Sequence, residues 1–315
     1  MQAGDQTMAE DIPFNRRFDA VPGVVETVAP GVRRVLAPNP GPFTFTGTCT
    51  YIIGAGEVAI VDPGPDNPDH LAALLAAVEG ERVTHIFLTH THRDHSGALA
   101  ALQAATGAPT YAEGPHRAAR PLHAQEANTL EGSGDRSFLP DVALADGARV
   151  DGAGWALAAL ATPGHTANHM AFILEAEPVQ SEGVIFVGDH VMGWSTTVVA
   201  PPDGSMSAYM ESLRRLLARP ETLYLPGHGG AVPQGPAFVE RFLRHRQSRE
   251  RAILRALERG PMAIPDIVRA IYFGLDPRLA NAAGLSTLAH MEDLVERGDV
   301  LTEGPAILSG IYRLP

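Results

Sequence analysis

Between Thr89 and Gly97 the chain reads Thr-His-Thr-His-Arg-Asp-His-Ser-Gly, directly after the apolar stretch Ile86-Phe87-Leu88. Four side chains able to bind a metal, His90, His92, Asp94 and His95, fall within six positions at the point where a buried strand is expected to end. Residues two apart in an extended or turning segment point the same way, so His90 and His92 can place imidazole nitrogens on one cation. Asp94 and the adjacent His95 diverge from that pair and suit a second cation a few ångströms away. Nitrogen and carboxylate donors without thiolate favour zinc first, with iron and manganese as alternatives. The competing reading is a polar surface loop rich in histidine by chance. It would suit a lone His better than four donors so spaced.

The pattern HxHxDH after a strand resembles the hallmark of the metallo-β-lactamase superfamily, and further segments continue the likeness in order. They are Thr162-Pro163-Gly164-His165-Thr166, then Gly188-Asp189-His190 after the apolar run Val184 to Val187, then Leu225-Pro226-Gly227-His228-Gly229. The resemblance implies an αββα sandwich of two mixed sheets with helices outside. It implies two zinc ions, the first held by His90, His92 and His165, the second by Asp94, His95 and His228, with Asp189 bridging. Two close dications acidify a shared water, so a bridging hydroxide would attack without a protein nucleophile. Asp94 and Asp189 are the catalytic candidates, Asp94 as a relay of the proton to the leaving group. Replacing Asp94 or His92 with Ala is expected to abolish hydrolysis and leave the fold largely intact.

Three further residues are tied to this site. In the family, the Asp-x-Gly of Asp62-Pro63-Gly64 stands just below the metals, so Asp62 either orients a ligand or caps a turn. His169 reads as a core histidine or one placed behind the ligands rather than a ligand itself. Trp194, in a poorly patterned stretch from Val191 to Ser205, reads as a substrate-facing aromatic or a buried anchor. Phe43 and Phe45, in the Pro/Gly-rich loop between Pro38 and Thr48, either roof the site or pack under the loop. His116 and His123 read as solvated or loop-packing histidines, and His190 as pointing away from the metals.

Members of the family split thioesters, β-lactams, lactones, phosphodiesters and RNA with shared ligands, so the motifs specify a reaction type and not a substrate. The leading expectation is a hydrolase of a small-molecule ester, thioester or lactam-type substrate. The runner-up is an endoribonuclease or other phosphodiesterase, and an iron-dependent sulfur dioxygenase is a third. The diiron oxygen-handling version of the family carries Glu where this chain has His92, which counts against it. All seven ligand positions are filled, which disfavours a non-enzymatic nucleic-acid-binding regulator.

Length and composition frame these expectations. At 315 residues, 45% hydrophobic and 19% charged, the chain suits one large domain plus a small one with a sizeable core. A net charge of −12 argues against a surface made to grip polyanions, although all 24 basic residues are arginine. Cys49 is the single cysteine, which rules out an intrachain disulfide or a thiolate cluster and suits a small buried side chain. No apolar run approaches the roughly 20 residues of a membrane span, and the first 20 residues lack the apolar centre of a secretory signal. No membrane association and a cytoplasmic location are therefore expected.

Periodicity and turn signals place strands at Gly31 to Leu36, Thr48 to Val61 with a break at Gly54-Ala55-Gly56, Val83 to Leu88 and Pro109 to Ala112. A second group follows at Val142 to Leu144, Arg149 to Val150, Trp155 to Ala161, His169 to Leu174, Gly183 to Val187 and Thr222 to Leu225. Helices are expected over Pro68 to Gly80, Ser96 to Thr106, Tyr209 to Leu217, Ala237 to Arg259, Pro265 to Phe273 and Leu279 to Arg297. Residues 1–24 read as a flexible arm, 25–236 as the catalytic domain and 237–315 as a winged-helix-like domain whose wing is Val300 to Thr302 with Ile307 to Tyr312. This tail resembles that of the subgroup containing β-lactamase-like protein two. Its helix over 237–259 carries seven arginines. They suit either nucleic acid or a solvated face paired within the helix, Glu240 with Arg244 and Glu250 with Arg246. A homodimer through the tail is compatible with the sequence.

Overall fold

The computed structural model describes residues 12–124, 126, 133–176, 183–272, 274 and 279–315. Residues 1–11 of the expected arm, part of the stretch Glu113 to Phe138, and Phe273 at the end of one expected helix lie outside the described residues.

The first sheet grows by simple succession. β1 (Val25–Ala29) turns at Gly31, whose φ of 69° needs a residue without a side chain, into β2 (Val32–Leu36). β3 (Cys49–Ala55) and β4 (Glu57–Val61) form the hairpin expected around Gly56. α1 (Pro68–Ala77) then starts where Asn67 accepts from the His70 amide at 2.9 Å and Pro68 occupies the first turn. It carries the chain across to β5 (Arg82–Phe87), parallel to β4. α2 (Arg93–Ser96), α3 (Leu99–Thr106), β6 (Thr110–Ala112) and β7 (Val142–Ala143) complete a seven-stranded sheet in the order β1 to β7. β1 lies outside the strands expected from periodicity because it is an edge strand whose valine Val25 stays exposed.

The second sheet has the order β12-β11-β10-β9-β8. Its strands are β8 (Arg149–Gly152), β9 (Trp155–Ala161), β10 (Met170–Ala176), β11 (Val184–Gly188) and β12 (Leu223–Pro226), the last two parallel and joined through α4 (Met206–Leu217). Alternation decides the layers. Ile53, Ala59, Val61 and Phe87 face Phe172, Leu174, Val184 and Phe186 between the sheets. Their neighbours Ile52, Val58, Ile60 and Ile86 pack on Leu74 of α1 and Leu102 of α3. On the other side Ile173, Ile185 and Val187 pack on Tyr209, Leu213 and Leu216 of α4 and on α5 (Gly235–Leu257). Strands covered on both faces need unbroken apolar runs such as Val58 to Val61. The result is the αββα sandwich.

The tail contains β13 (Met262–Ala263), α6 (Ile264–Ile271), α7 (Ala280–Glu296), β14 (Leu301–Thr302) and β15 (Ile311–Arg313), with the strands ordered β13-β15-β14. Its own core includes Ile267, Leu288, Met291, Leu294 and Tyr312. α5 is shared. Phe238, Val239 and Phe242 are buried on the second sheet, whereas Ile253 and Leu257 belong to the tail core.

Two expectations need correction. The described part of the N-terminal arm is packed, not loose: Phe14 meets Phe238 and Phe242 edge-on, the Asn15 amide donates to the Gly193 carbonyl at 2.8 Å, and Phe18 stacks on Phe45. Aromatic side chains such as these gain more from burial than from a mobile segment. On α5, Glu240 pairs with Arg244 as expected, but Glu250 pairs with Arg297 at 3.0 Å. Arg246 points inward instead, because its position on the helix faces the catalytic sandwich. No described helix is long and apolar enough to cross a membrane.

Candidate metal centre

The sequence-expected ligands come together at one rim of the sandwich, beyond the carboxyl ends of β5, β9, β11 and β12. Ligands of α/β units gather at such ends because the connecting loops there are free of packing duty. After β5 ends at Phe87 the chain bends at Thr89, and His92, extended at φ −69° and ψ 143°, is the residue before α2. The amides of His95 and Ser96 both donate to the His92 carbonyl at 2.9 Å. The segment expected to be a loop is thus a loop as far as His92 and a helical turn from Arg93. That turn swings Asp94 and His95 away from His90 and His92.

Two sets of donors result. His90 Nε2 and His165 Nε2 each lie 3.0 Å from His92 Nδ1. Asp94 Oδ2 lies 3.2 Å from His228 Nε2 and 3.6 Å from His95 Nε2. Asp189 stands between the sets, with Oδ1 3.4 Å from His95 Nε2 and Oδ2 3.3 Å from His228 Nε2 and 3.7 Å from His165 Nε2. Donors on one tetrahedral zinc sit about 3.4 Å apart, since each bond is about 2.1 Å long. The spacing therefore fits a metal. Buried His95 Nε2 and Asp189 Oδ1 have no hydrogen-bond partner, which an ion between them would supply.

The far sides of the rings are held. His165 Nδ1 donates to the Val198 carbonyl at 2.6 Å and His228 Nδ1 to the Gly47 carbonyl at 3.1 Å. His95 Nδ1 bonds Asp62 Oδ2 at 2.9 Å, and Asp62 also accepts from the Thr89 amide and hydroxyl, each at 2.8 Å. Such partners fix the tautomer that leaves Nε2 facing inward. Asp62 therefore holds the His95 ring rather than merely capping a turn. His169 lies behind: its Nε2 accepts from the Asp189 amide at 3.2 Å and its Nδ1 bonds Thr162 Oγ1 at 2.9 Å. The two backbone carbonyls have no sequence signature, and for that reason the motifs could not reveal them.

Glycines open the space. A Cβ on Gly227 would sit 2.5 Å from His95 Cε1 and 2.6 Å from Asp189 Oδ1. Gly227→Ala is accordingly expected to weaken metal uptake by tenfold or more while the chain still folds, as measured by chelator competition; unchanged uptake would contradict the packing described.

The electrostatics divide the same way. Burial pushes the Asp94 and Asp189 carboxyls up, but His95 and His228 outweigh it and hold both below the usual carboxylate range. Burial lowers His228, yet Asp189 and Asp94 raise it to about 9, and His95 is raised as well. His90 and His92 are lowered, by burial first and then by neighbouring imidazoles, His92 to about 3. A raised imidazole contributes stability that is complete below its ordinary value of 6.5 and is lost as pH rises through about 9. Protein stripped by a chelator should consequently melt lower at pH 9 than at pH 6.5, by roughly 5 °C. The metal-loaded protein should lack this slope, and differential scanning fluorimetry on both forms checks it.

Beside the cluster lies a cavity of about 270 Å3 bounded by His92, Asp94, His165, Asp189 and His228 on one side and by Pro42, Phe43, Thr44, Met192, Trp194 and Val198 on the other. Trp194 both lines it and is anchored, stacking on Phe45 with ring centroids 4.8 Å apart. Phe43 is a half-exposed wall and Phe45 the support beneath. Pro42, Thr44 and Met192 were not singled out from sequence. His116 is packed instead of solvated, bonding Thr91 Oγ1 at 2.9 Å, His123 borders a different cleft, and His190 is turned against Tyr209. Cys49 is buried, as its lone occurrence suggested.

A mixed sandwich with this donor cluster at its rim defines a metal-dependent hydrolase of the metallo-β-lactamase kind. Residues 43–228 match the family model described as metallo-beta-lactamase superfamily, and residues 263–306 match that of the beta-lactamase associated winged helix domain, so the chain belongs to the metallo-beta-lactamase superfamily. It is 32% identical over 253 residues to the Beta-lactamase-like protein 2 homolog of Caenorhabditis elegans, covering 79% of this chain and 78% of that protein. It is 33% identical over 240 residues to the Atrochrysone carboxyl ACP thioesterase of Aspergillus fumigatus, covering 74% and 67%. Among solved structures it resembles a metallo-beta-lactamase family protein from Thermus thermophilus, with a TM-score of 0.72, 27% identity and coverage of 92% and 100%.

Proposed function

We propose that the chain is a dinuclear hydrolase, with zinc as the native metal, that cleaves a small acyl thioester or a related ester or lactam. The observation that carries this reading is Asp189 set between two donor groups at the floor of an apolar-walled cavity. Two bound dications would supply an acidified water and polarise the acyl oxygen. The chain does the rest. Phe43, Met192 and Trp194 seat an apolar acyl group and exclude bulk water, and Asp94, whose Oδ2 faces His228, carries a proton toward the departing sulfur or oxygen. The relative from Aspergillus fumigatus named as a thioesterase supports the choice among acyl substrates. Among the described residues no arginine bounds the cavity, which disfavours a phosphodiester backbone there.

The test is elemental analysis of natively purified protein together with turnover of thioester, lactone, lactam, phosphodiester and RNA substrates at matched concentration. The thioester should have the highest kcat/KM, and Phe43→Ala should raise its KM roughly tenfold, the equivalent of about 1.4 kcal/mol of apolar contact. Faster cleavage of RNA, weakening steeply with salt, would replace this reading with the phosphodiesterase.

A further inference from the structure

Arg246 is one of the arginines that the sequence offers to solvent or to nucleic acid, yet it is only 3% exposed. It projects from α5 into the catalytic sandwich, its guanidinium carbon 5.1 Å above the Tyr209 ring and its Nη2 donating to the Thr197 carbonyl. Among the described residues it forms no ion pair, and its Nε has no partner. A buried guanidinium without a carboxylate is costly, and an apolar residue of the same volume would fit such a site better unless the donor were needed.

What Arg246 holds explains the need. Thr197 Oγ1 donates to the carbonyls of Asp189 and His190, at 2.8 and 2.9 Å. The next residue, Val198, offers the carbonyl that fixes His165 Nδ1 at 2.6 Å. Tyr209, under the guanidinium, donates to the His190 carbonyl at 2.9 Å and packs so tightly on the His165 loop that a Cβ on Gly164 would come within 2.4 Å of its Cα. Residues 197 and 198 thus bear on two proposed ligands from two strand ends, and one side chain of the appended helix clamps them.

We infer that Arg246 is a positioning residue through which the C-terminal helical domain holds the metal centre in shape, by fixing the Thr197-Val198 segment against Asp189 and His165. The appended domain then serves the hydrolase itself, because without the clamp the His165 ring and the Asp189 backbone lose a common support. The inference rests on the reading of the seven side chains as metal ligands.

Zinc affinity of the full chain, stripped and reloaded against a competing chromophoric chelator, tests it without reference to any substrate. Arg246→Met should weaken zinc binding by about 10- to 100-fold, the usual consequence of losing a group that orients a ligand. Arg246→Lys, which keeps a donor, should recover most of it. Thr197→Val should weaken binding too, and the double variant should be little worse than the weaker single one, since both break one linkage. Arg244→Met, on the exposed face of the same helix, should bind as wild type. Wild-type affinity in Arg246→Met, or fully additive losses in the double variant, overturns the inference. If Arg246→Met does not fold, Arg246→Gln takes its place under the same two outcomes. A wild-type chain that takes up no zinc would instead reject the ligand reading.

Discussion

Asp189→Asn is expected to lower turnover by about 10^3-fold and to reduce the bound metal from the two proposed ions toward one per chain. Among the described residues Asp189 is the single side chain whose oxygens approach members of both donor sets, His95 and His228 on one side and His165 on the other. Asparagine keeps the shape but turns one of those oxygens into an amide donor and removes the negative charge that would lie between the two proposed dications. Losing charge compensation of several kcal/mol at such a site corresponds to roughly three orders of magnitude in rate. Elemental analysis and kcat/KM on the same preparation check both halves. Two ions and a rate within tenfold of wild type would mean that Asp189 does not link the sets.

Asp62→Ala should have the largest effect on stability. The carboxylate is 2% exposed and accepts three hydrogen bonds, from the Thr89 amide, the Thr89 hydroxyl and His95 Nδ1. Removing it leaves a buried amide and a buried imidazole N–H unpaired, at a cost of about 3–5 kcal/mol. For a chain of this size that is a drop in melting temperature on the order of 10 °C. His95 also loses the contact that aims Nε2, so metal at the Asp94, His95 and His228 group should be lost first. Asp62→Asn should fall between the two, because its amide can still accept from Thr89 but opposes the His95 N–H. A melting temperature for Asp62→Ala within about 2 °C of wild type would show that Asp62 only fills a turn.

The metal motifs and most elements were legible in the chain because their signals are local. Apolar runs such as Val58 to Val61 and Val184 to Val187 announce strands buried on both faces, and the donor types announce a nitrogen and oxygen metal site. The spacing of His90, His92, Asp94 and His95 separates two pairs within one short stretch. β1 was not legible, since a half-exposed edge strand carries little pattern. Nor was the inward turn of Arg246, which on a helix of mixed Arg and Glu looks like any other charged position until the face it presents is known.

By itself the sequence determined the kind of chemistry, the candidate donors, and their order along the chain. Only the tertiary structure decided that His165, Asp189 and His228 meet the His90 group. It also decided that the Val198 and Gly47 carbonyls hold His165 and His228, and that Trp194 is wall and anchor at once. The physical reason is range: periodicity and turn chemistry act over a few residues. Contacts between the ends of β5, β9, β11 and β12 depend on how two sheets pack face to face, and backbone acceptors are identical at every position until packing selects one.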